Sequence, residues 1–296
     1  LKGVMPLIQH TLLKLYWANF TTTQVHQIID FYPDFSLENE QTRMDIIKDW
    51  VLKQNSHALQ RKLDQFKMLK TEYLYNYMKR IKLKYVTYYD KDYPLLLKEI
   101  YHFPYVIFYK GTKQLFNQPH TLAVIGSRKS TSYTTQALKY LFPSFQQIQM
   151  TIISGLAYGA DSVAHQVALK YHLPTIGVLG FGHDYHYPQS TYQLRDKIEK
   201  SGLVLSEYPP HSAISKYKFP ERNRLISGLS RGLLITEAEE KSGSQITVDC
   251  ALEQNRNVYV LPGSMFNQMT KGNLLRLEEG AQVVLDESSI LTDYTF

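Results

Sequence analysis

The sequence predicts an α/β fold, a doubly wound and mainly parallel sheet preceded by a small all-helical domain. Three observations carry this. From residue 119 onward, short apolar and β-branched runs alternate with stretches of helical length, the pattern of successive strand–helix units in a parallel sheet. Several of those runs end in glycine and hydroxyl residues, where the chain has to turn sharply off a strand. Residues 1–83 lack the alternation and instead repeat apolar residues at helical spacing.

In chain order, Leu7, Ile8, Leu12, Leu15 and Tyr16 mark a first helical face. Thr21-Thr22-Thr23 is a cap signal ahead of Val25, Ile28 and Ile29. The helical reading continues through 44–83 without a Gly or Pro break, so residues 1–84 are expected to be a helical domain. Residues 85–118 form a lead-in, punctuated by Pro94, Pro104 and Gly111, with YVIFY as a strand. The core, 119–296, has strands expected at 121–125, 151–153, 175–179, 203–205, 233–236, 257–261 and 282–285. Helices are expected between them at 133–142, 159–171, 191–200, 220–229, 244–255 and 271–279.

The 296 residues leave room for one large domain and a satellite, at roughly 150 residues per domain. No apolar run reaches the ~18 residues that span a bilayer, and the N-terminus lacks a secretory pattern. A cytoplasmic protein without a membrane partner is expected. The single cysteine, Cys250, excludes an internal disulfide or a cysteine-based zinc cluster, and its spacing in ITVDCALEQ predicts a buried structural thiol. The net charge of +6 is uneven: residues 1–84 hold 13 Lys+Arg against 8 Asp+Glu, and the remainder 20 against 19. Eight of those basic residues fall in 61–84 against Asp64 and Glu72. That run suits either a polyanionic partner or a solvated helix face.

Ligands of open α/β sheets bind beyond the carboxyl ends of the strands, so the loops there matter most. In AVIGSRKSTS, Gly126-Ser127-Arg128-Lys129 follows a strand and precedes a helix that Ser130, Thr131 or Ser132 would cap. Helix N–H groups and the planar Arg128 fork suit a phosphate, but the glycines of a dinucleotide fingerprint are missing. The reading is a phosphate held by side chain and backbone together, against an arginine tied to a carboxylate. In SGLAYGADSVAH, Gly155 and Gly159 lead into a helix on which Asp161 and His165 share a face. That pair reads as a structural hydrogen bond before it reads as catalytic or metal-binding. In VLGFGHDYHYP, His183 and His186 have weak metal spacing, and no metal site is expected.

Two later loops say more. SKYKFPERNRLISGLS interleaves Lys216, Lys218, Arg222 and Arg224 with Tyr217 and Phe219. Cations tracking a backbone and rings stacking on bases are what single-stranded nucleic acid requires. For Arg222 and Arg224, buried ion pairs are an equal alternative. In TEAEEKSGSQIT, Ser242-Gly243-Ser244 opens a helix and offers N–H groups to an anion, while Glu237, Glu239 and Glu240 oppose direct phosphate contact.

Together IGSR, SGLAYGADSVAH, VLGFGHDYHYP, SEYPP, FPERNRLISGLS, EKSGSQIT, YVLPG and KGNLLRLEEGA resemble the DNA-processing protein A (DprA/Smf) family, in order over about residues 86–290. The resemblance implies an extended Rossmann-like core and a small SAM-like N-terminal domain. It implies a cytoplasmic homodimer that binds single-stranded DNA and loads RecA recombinase on it in natural transformation, without catalysis or cofactor. The family's DNA-contacting arginine corresponds to Arg128. Its lysine and aromatic before the RNR segment correspond to Lys216 and Phe219, with Lys218 the near alternative. Many members continue into a winged-helix domain; the form without it is expected here. The rival from another class is a Rossmann-like nucleotide hydrolase or phosphoribosyl-handling enzyme using Glu237, Asp161 and the Ser-Gly-Ser turn.

Overall fold

The computed structural model describes residues 5–294. The predicted helical domain and core extend slightly outside that range, at residues 1–4 and 295–296, and the side chain of Leu7 is likewise outside the described residues. Five helices come first: α1 (Met5–Trp17), α2 (Thr22–Phe31), α3 (Glu40–Lys53), α4 (His57–Met68) and α5 (Thr71–Arg80). Thr21 caps α2 in a reciprocal box with Gln24. The break-free stretch 44–83 is not one continuous run. Asn55 turns left-handed at φ 45°, a conformation asparagine tolerates, and Ser56 then caps α4.

The lead-in supplies β1 (Lys84–Thr87) and β2 (Val106–Gly111). After it come β3 (Thr121–Ile125), α6 (Ser132–Phe145), β4 (Thr151–Ser154), α7 (Ala160–Lys170), β5 (Thr175–Val178), α8 (Tyr192–Ser201) and β6 (Leu203–Ser206). The second half is α9 (Lys218–Gly228), β7 (Gly232–Ile235), α10 (Gly243–Glu253), β8 (Asn257–Val260), α11 (Lys271–Glu278), β9 (Gln282–Val283) and α12 (Ser288–Leu291). The nine strands form one sheet in the order β1-β2-β6-β5-β4-β3-β7-β8-β9. Pairing is parallel from β6 to β9, while β2 runs antiparallel to both β1 and β6. The chain steps outward from β3 through β4, β5 and β6, then returns to the other flank of β3 for β7. The strand order therefore reverses at β3.

Period-two alternation divides the core. Leu122 and Val124 of β3 pack with Leu138, Phe142, Ala164 and Val167 of α6 and α7. Ala123 and Ile125 pack on the other face with Leu225, Ile226, Val248 and Ala251 of α9 and α10. The same alternation on β2 joins the helices to the sheet: Ile107 and Tyr109 belong to the sheet core, whereas Val106 and Phe108 complete the core of Leu12, Trp50, Phe66 and Leu74. Cys250, expected to be buried, is half-buried on α10, and partial burial pushes its thiol pKa up. No helix among the described residues is long and apolar enough to cross a membrane.

Because Phe108 is fully buried between helices and sheet, Phe108→Ala is expected to cost about 3–5 kcal/mol, read from the midpoint of chemical denaturation. Leu52→Ala, at a largely exposed site on α3, should stay within about 0.5 kcal/mol.

Candidate functional site

Beyond the carboxyl end of β3, where the strand order reverses, an open cleft of about 880 Å³ is bounded by the loop before α6, the start of α9 and the start of α10. Its shape is set by a buried carboxylate. Glu237, just after β7, has no exposed surface. Its Oε1 accepts from Thr131 Oγ1 at 2.7 Å, and its Oε2 from the Thr131 amide at 2.8 Å and Thr134 Oγ1 at 2.6 Å. This places a negative charge on the first turn of α6, where the helix dipole favours it. The Glu237 carbonyl accepts the Ser127 amide.

Two further amides of the loop bond within it. Ser127 Oγ accepts from the Lys129 amide at 3.0 Å, and the Ser127 carbonyl from Ser130 and Ala160 at 3.2 and 3.1 Å. Gly159 has φ +72°, and a Cβ there would collide with the Ser127 carbonyl oxygen, so this approach of α7 to the loop requires glycine. Glu237 takes the amide of Thr131, the N-cap of α6, and Thr131 Oγ1 takes that of Tyr133. Arg128 and Lys129 project from the loop as exposed side chains.

On α9 the two faces part. Phe219, Arg222, Asn223 and Ile226 fall at helical spacing on the cleft side. Arg222 is buried; its Nη1 donates to the carbonyls of Gly155, at 2.7 Å, and Val178. A Cβ on Gly155 would meet that nitrogen at 2.5 Å, so Gly155 is there to admit the guanidinium. Burial lowers the Arg222 pKa, opposed by the neighbouring Asp161. Asp161 lies across the cleft floor and accepts from the amides of Gly155 and Ala157 at 3.1 and 3.3 Å. Burial raises its pKa, with Arg222 pulling the other way.

Lys218 and Arg224 face away from the cleft, toward α2. Lys218 Nζ donates to Ser212 Oγ at 2.8 Å and to the Ala213 carbonyl at 2.6 Å. Arg224 pairs with buried Glu207 at 2.6 Å, and Glu207 also accepts from Thr22 Oγ1 at 2.8 Å. Of the two alternatives for Arg224, the ion pair is what forms, because it lies two residues from Arg222 and so on the opposite side of the helix.

The remaining cleft groups include cations, aromatic rings and small residues, together with Glu239 and the apolar Ile214 and Ile246. Lys216 is exposed, and among the described residues neither it, Arg128 nor Lys129 has a carboxylate partner. The Arg128 guanidinium lies 5.8 Å from the Phe219 ring centre. Tyr187 packs on the same ring at 5.7 Å, tilted by 40°. Sequence reasoning missed Tyr187; an aromatic before a proline in a strand-end loop was the available signal, and nothing local says it folds onto Phe219. At the opposite wall Ser244 Oγ donates to the Gly126 carbonyl at 2.7 Å. Ser242 makes no cap bond, and Gly243 faces open space.

Asp161 and His165 do not pair. His165 Nδ1 bonds Thr175 Oγ1 at 2.7 Å, and burial drops its pKa to about 3. His183 is buried against the Phe108 carbonyl and Arg195. Among the described residues no three His, Cys, Asp or Glu side chains group as a metal would need.

Fold and cleft together define a Rossmann-like α/β protein whose cleft at the strand reversal is backed by a buried carboxylate and presents cations and rings. The chain belongs to the DNA recombination-mediator protein A family, whose model matches residues 84–295. It is 38% identical to the DNA processing protein DprA of Bacillus subtilis over 204 residues, 69% of each chain. The structure of DprA from Streptococcus pneumoniae superposes with a TM-score of 0.82 at 30% identity, covering 96% of both chains. That of Helicobacter pylori DNA processing protein A, which describes a single-stranded DNA binding mode, gives 0.64 at 28% identity over 71% of this chain and 95% of that one.

Glu237→Gln replaces an acceptor by an amide facing donors, and should lower stability by about 1–3 kcal/mol in thermal unfolding.

Proposed function

We propose that the cleft binds single-stranded DNA without reading its sequence, and that the protein acts as a recombination mediator, loading RecA recombinase in natural transformation without catalysis. The observation that carries this is the set of unpaired cations, Arg128, Lys129 and Lys216, around the Phe219–Tyr187 rings. Cations hold phosphates irrespective of sequence and rings stack on any base. Gly126, Ser127, Ser242, Gly243 and Ser244 form the small-residue walls that let a backbone approach, and Arg222 with Gly155 forms the floor. Lys218 and Arg224 position the α9 face rather than touch DNA. The single-strand binding described for the H. pylori relative supports the reading, and the family's description as recombination mediators supports the RecA partnership.

Against the enzyme, Glu237 is committed to Thr131 and Thr134, and Asp161 to backbone amides and Arg222. The cytoplasm, where RecA and incoming DNA meet, is the corresponding compartment. The homodimer is proposed through the late elements, where Leu275, Val283 and Leu285 stand exposed beside the edge strand β9.

Titration of oligothymidine by fluorescence anisotropy tests the cleft. Arg128→Ala should weaken binding markedly and reduce the slope of log K against log salt by about 0.7 for each phosphate that is no longer neutralised; an unchanged slope excludes its phosphate role. Phe219→Ala should cost about 1–3 kcal/mol with the slope nearly preserved, since stacking releases few counterions.

A further inference from the structure

A second depression, of about 660 Å³, lies where α1, α4 and α5 meet the loop that follows β6. Trp17, Met68, Lys70, Tyr73, Tyr77 and His211 line it. The rings form a connected set: Trp17 meets Tyr77 edge-on at 5.5 Å and His211 at 5.6 Å, and Tyr73 lies 6.3 Å from Tyr77. The set is fixed from below, because Tyr77 donates to Asp184 at 2.5 Å and the Arg80 guanidinium sits 4.9 Å over its ring. Its upper side is open to water: Tyr73 is 57% and Met68 81% exposed.

The charge around this groove is mainly positive, with Asp184, which Tyr77 bonds, as an acidic neighbour. Residues 61–84 hold eight basic residues against two acidic. Lys67, Lys70 and Lys79 are exposed, and none has an ion-pair partner among the described residues. The groove is also joined to the cleft by a single loop. Residues 207–217 place Lys216 in the cleft and His211 in the groove, and the five steps between them span at most about 18 Å. An unpaired strand covers that distance in about five nucleotides at the stacked rise of 3.4 Å.

We propose that this groove is a second stacking site for single-stranded DNA, receiving bases of the strand as it leaves the cleft past Lys216, with Tyr73 as the stacking platform and Lys70 on a phosphate. Open ring faces beside unpaired lysines suit a polyanion with π-faces better than an apolar peptide, which would leave those lysines without counter-charge. The inference rests on the cleft's being the primary DNA site, and it gives the helical segment a share in binding.

The test uses two lengths of oligothymidine, about 6 nucleotides to fill the cleft alone and about 25 to reach the groove. Lys70→Ala/Tyr73→Ala, both at exposed positions, is compared with the native chain and with Arg128→Ala by anisotropy titration. The double variant should bind the short oligomer within about twofold of native and the long one about tenfold or more weaker, with a salt slope shallower by about 0.7 for the long oligomer only. Tyr73→Trp should retain long-oligomer affinity. Native-like binding of the long oligomer by the double variant, or equal losses at both lengths, overturns the second site while leaving the cleft reading intact. A native protein that binds neither length overturns the cleft reading, and this one with it.

Discussion

The buried carboxylate of Glu237 binds the first turn of α6 to the end of β7. Three donors from Thr131 and Thr134 converge on it, and its own carbonyl anchors Ser127. A buried carboxylate is tolerable only when hydrogen bonds replace its lost hydration, and here the helix end supplies both bonds and dipole. The rest of the cleft follows. With the amides of Ser127, Lys129, Ser130 and Thr131 engaged, the loop before α6 has a course that leaves Arg128 and Lys129 exposed, while the Ser127 carbonyl takes up α7. These two side chains face the cleft that Phe219 and Lys216 also line.

Much of this was legible in the sequence. Alternation of apolar runs with helical stretches located every strand of the parallel core, because each buried strand must be apolar on both faces. The glycine loops marked the strand ends, and IGSR fell at the reversal point. What was not legible depended on which way a side chain faces. Arg222 and Arg224 look equivalent in FPERNRL, yet the helical turn sends one to the cleft floor and the other to Glu207. Lys218 and Lys216 differ in the same way: the first turn of α9 commits one to Ser212 and leaves the other in the preceding loop. Asn55-Ser56 did carry a local break-and-cap signal that a search for Gly and Pro alone passes over, whereas Tyr187 returning to Phe219 is decided by packing between segments distant in sequence.

The helical segment and the sheet are held together in two ways. Phe108 and Val106 share one apolar core with the helices, which supplies adhesion without direction. Glu207, buried between Thr22 and Arg224, adds directed polar contacts to both. A buried ion pair contributes little net stability once desolvation is counted. Here it links the start of α2 to α9 through Glu207.

On the proposed reading, the exposed and unpaired placement of Arg128, Lys129 and Lys216 also sets which ligands are held. A lone mononucleotide meets each of these cations weakly, through water. A polymer engages them together, every contact raising the local concentration for the next. Discrimination in favour of long chains then arises from valency, with no gate or recognition of chemical identity needed.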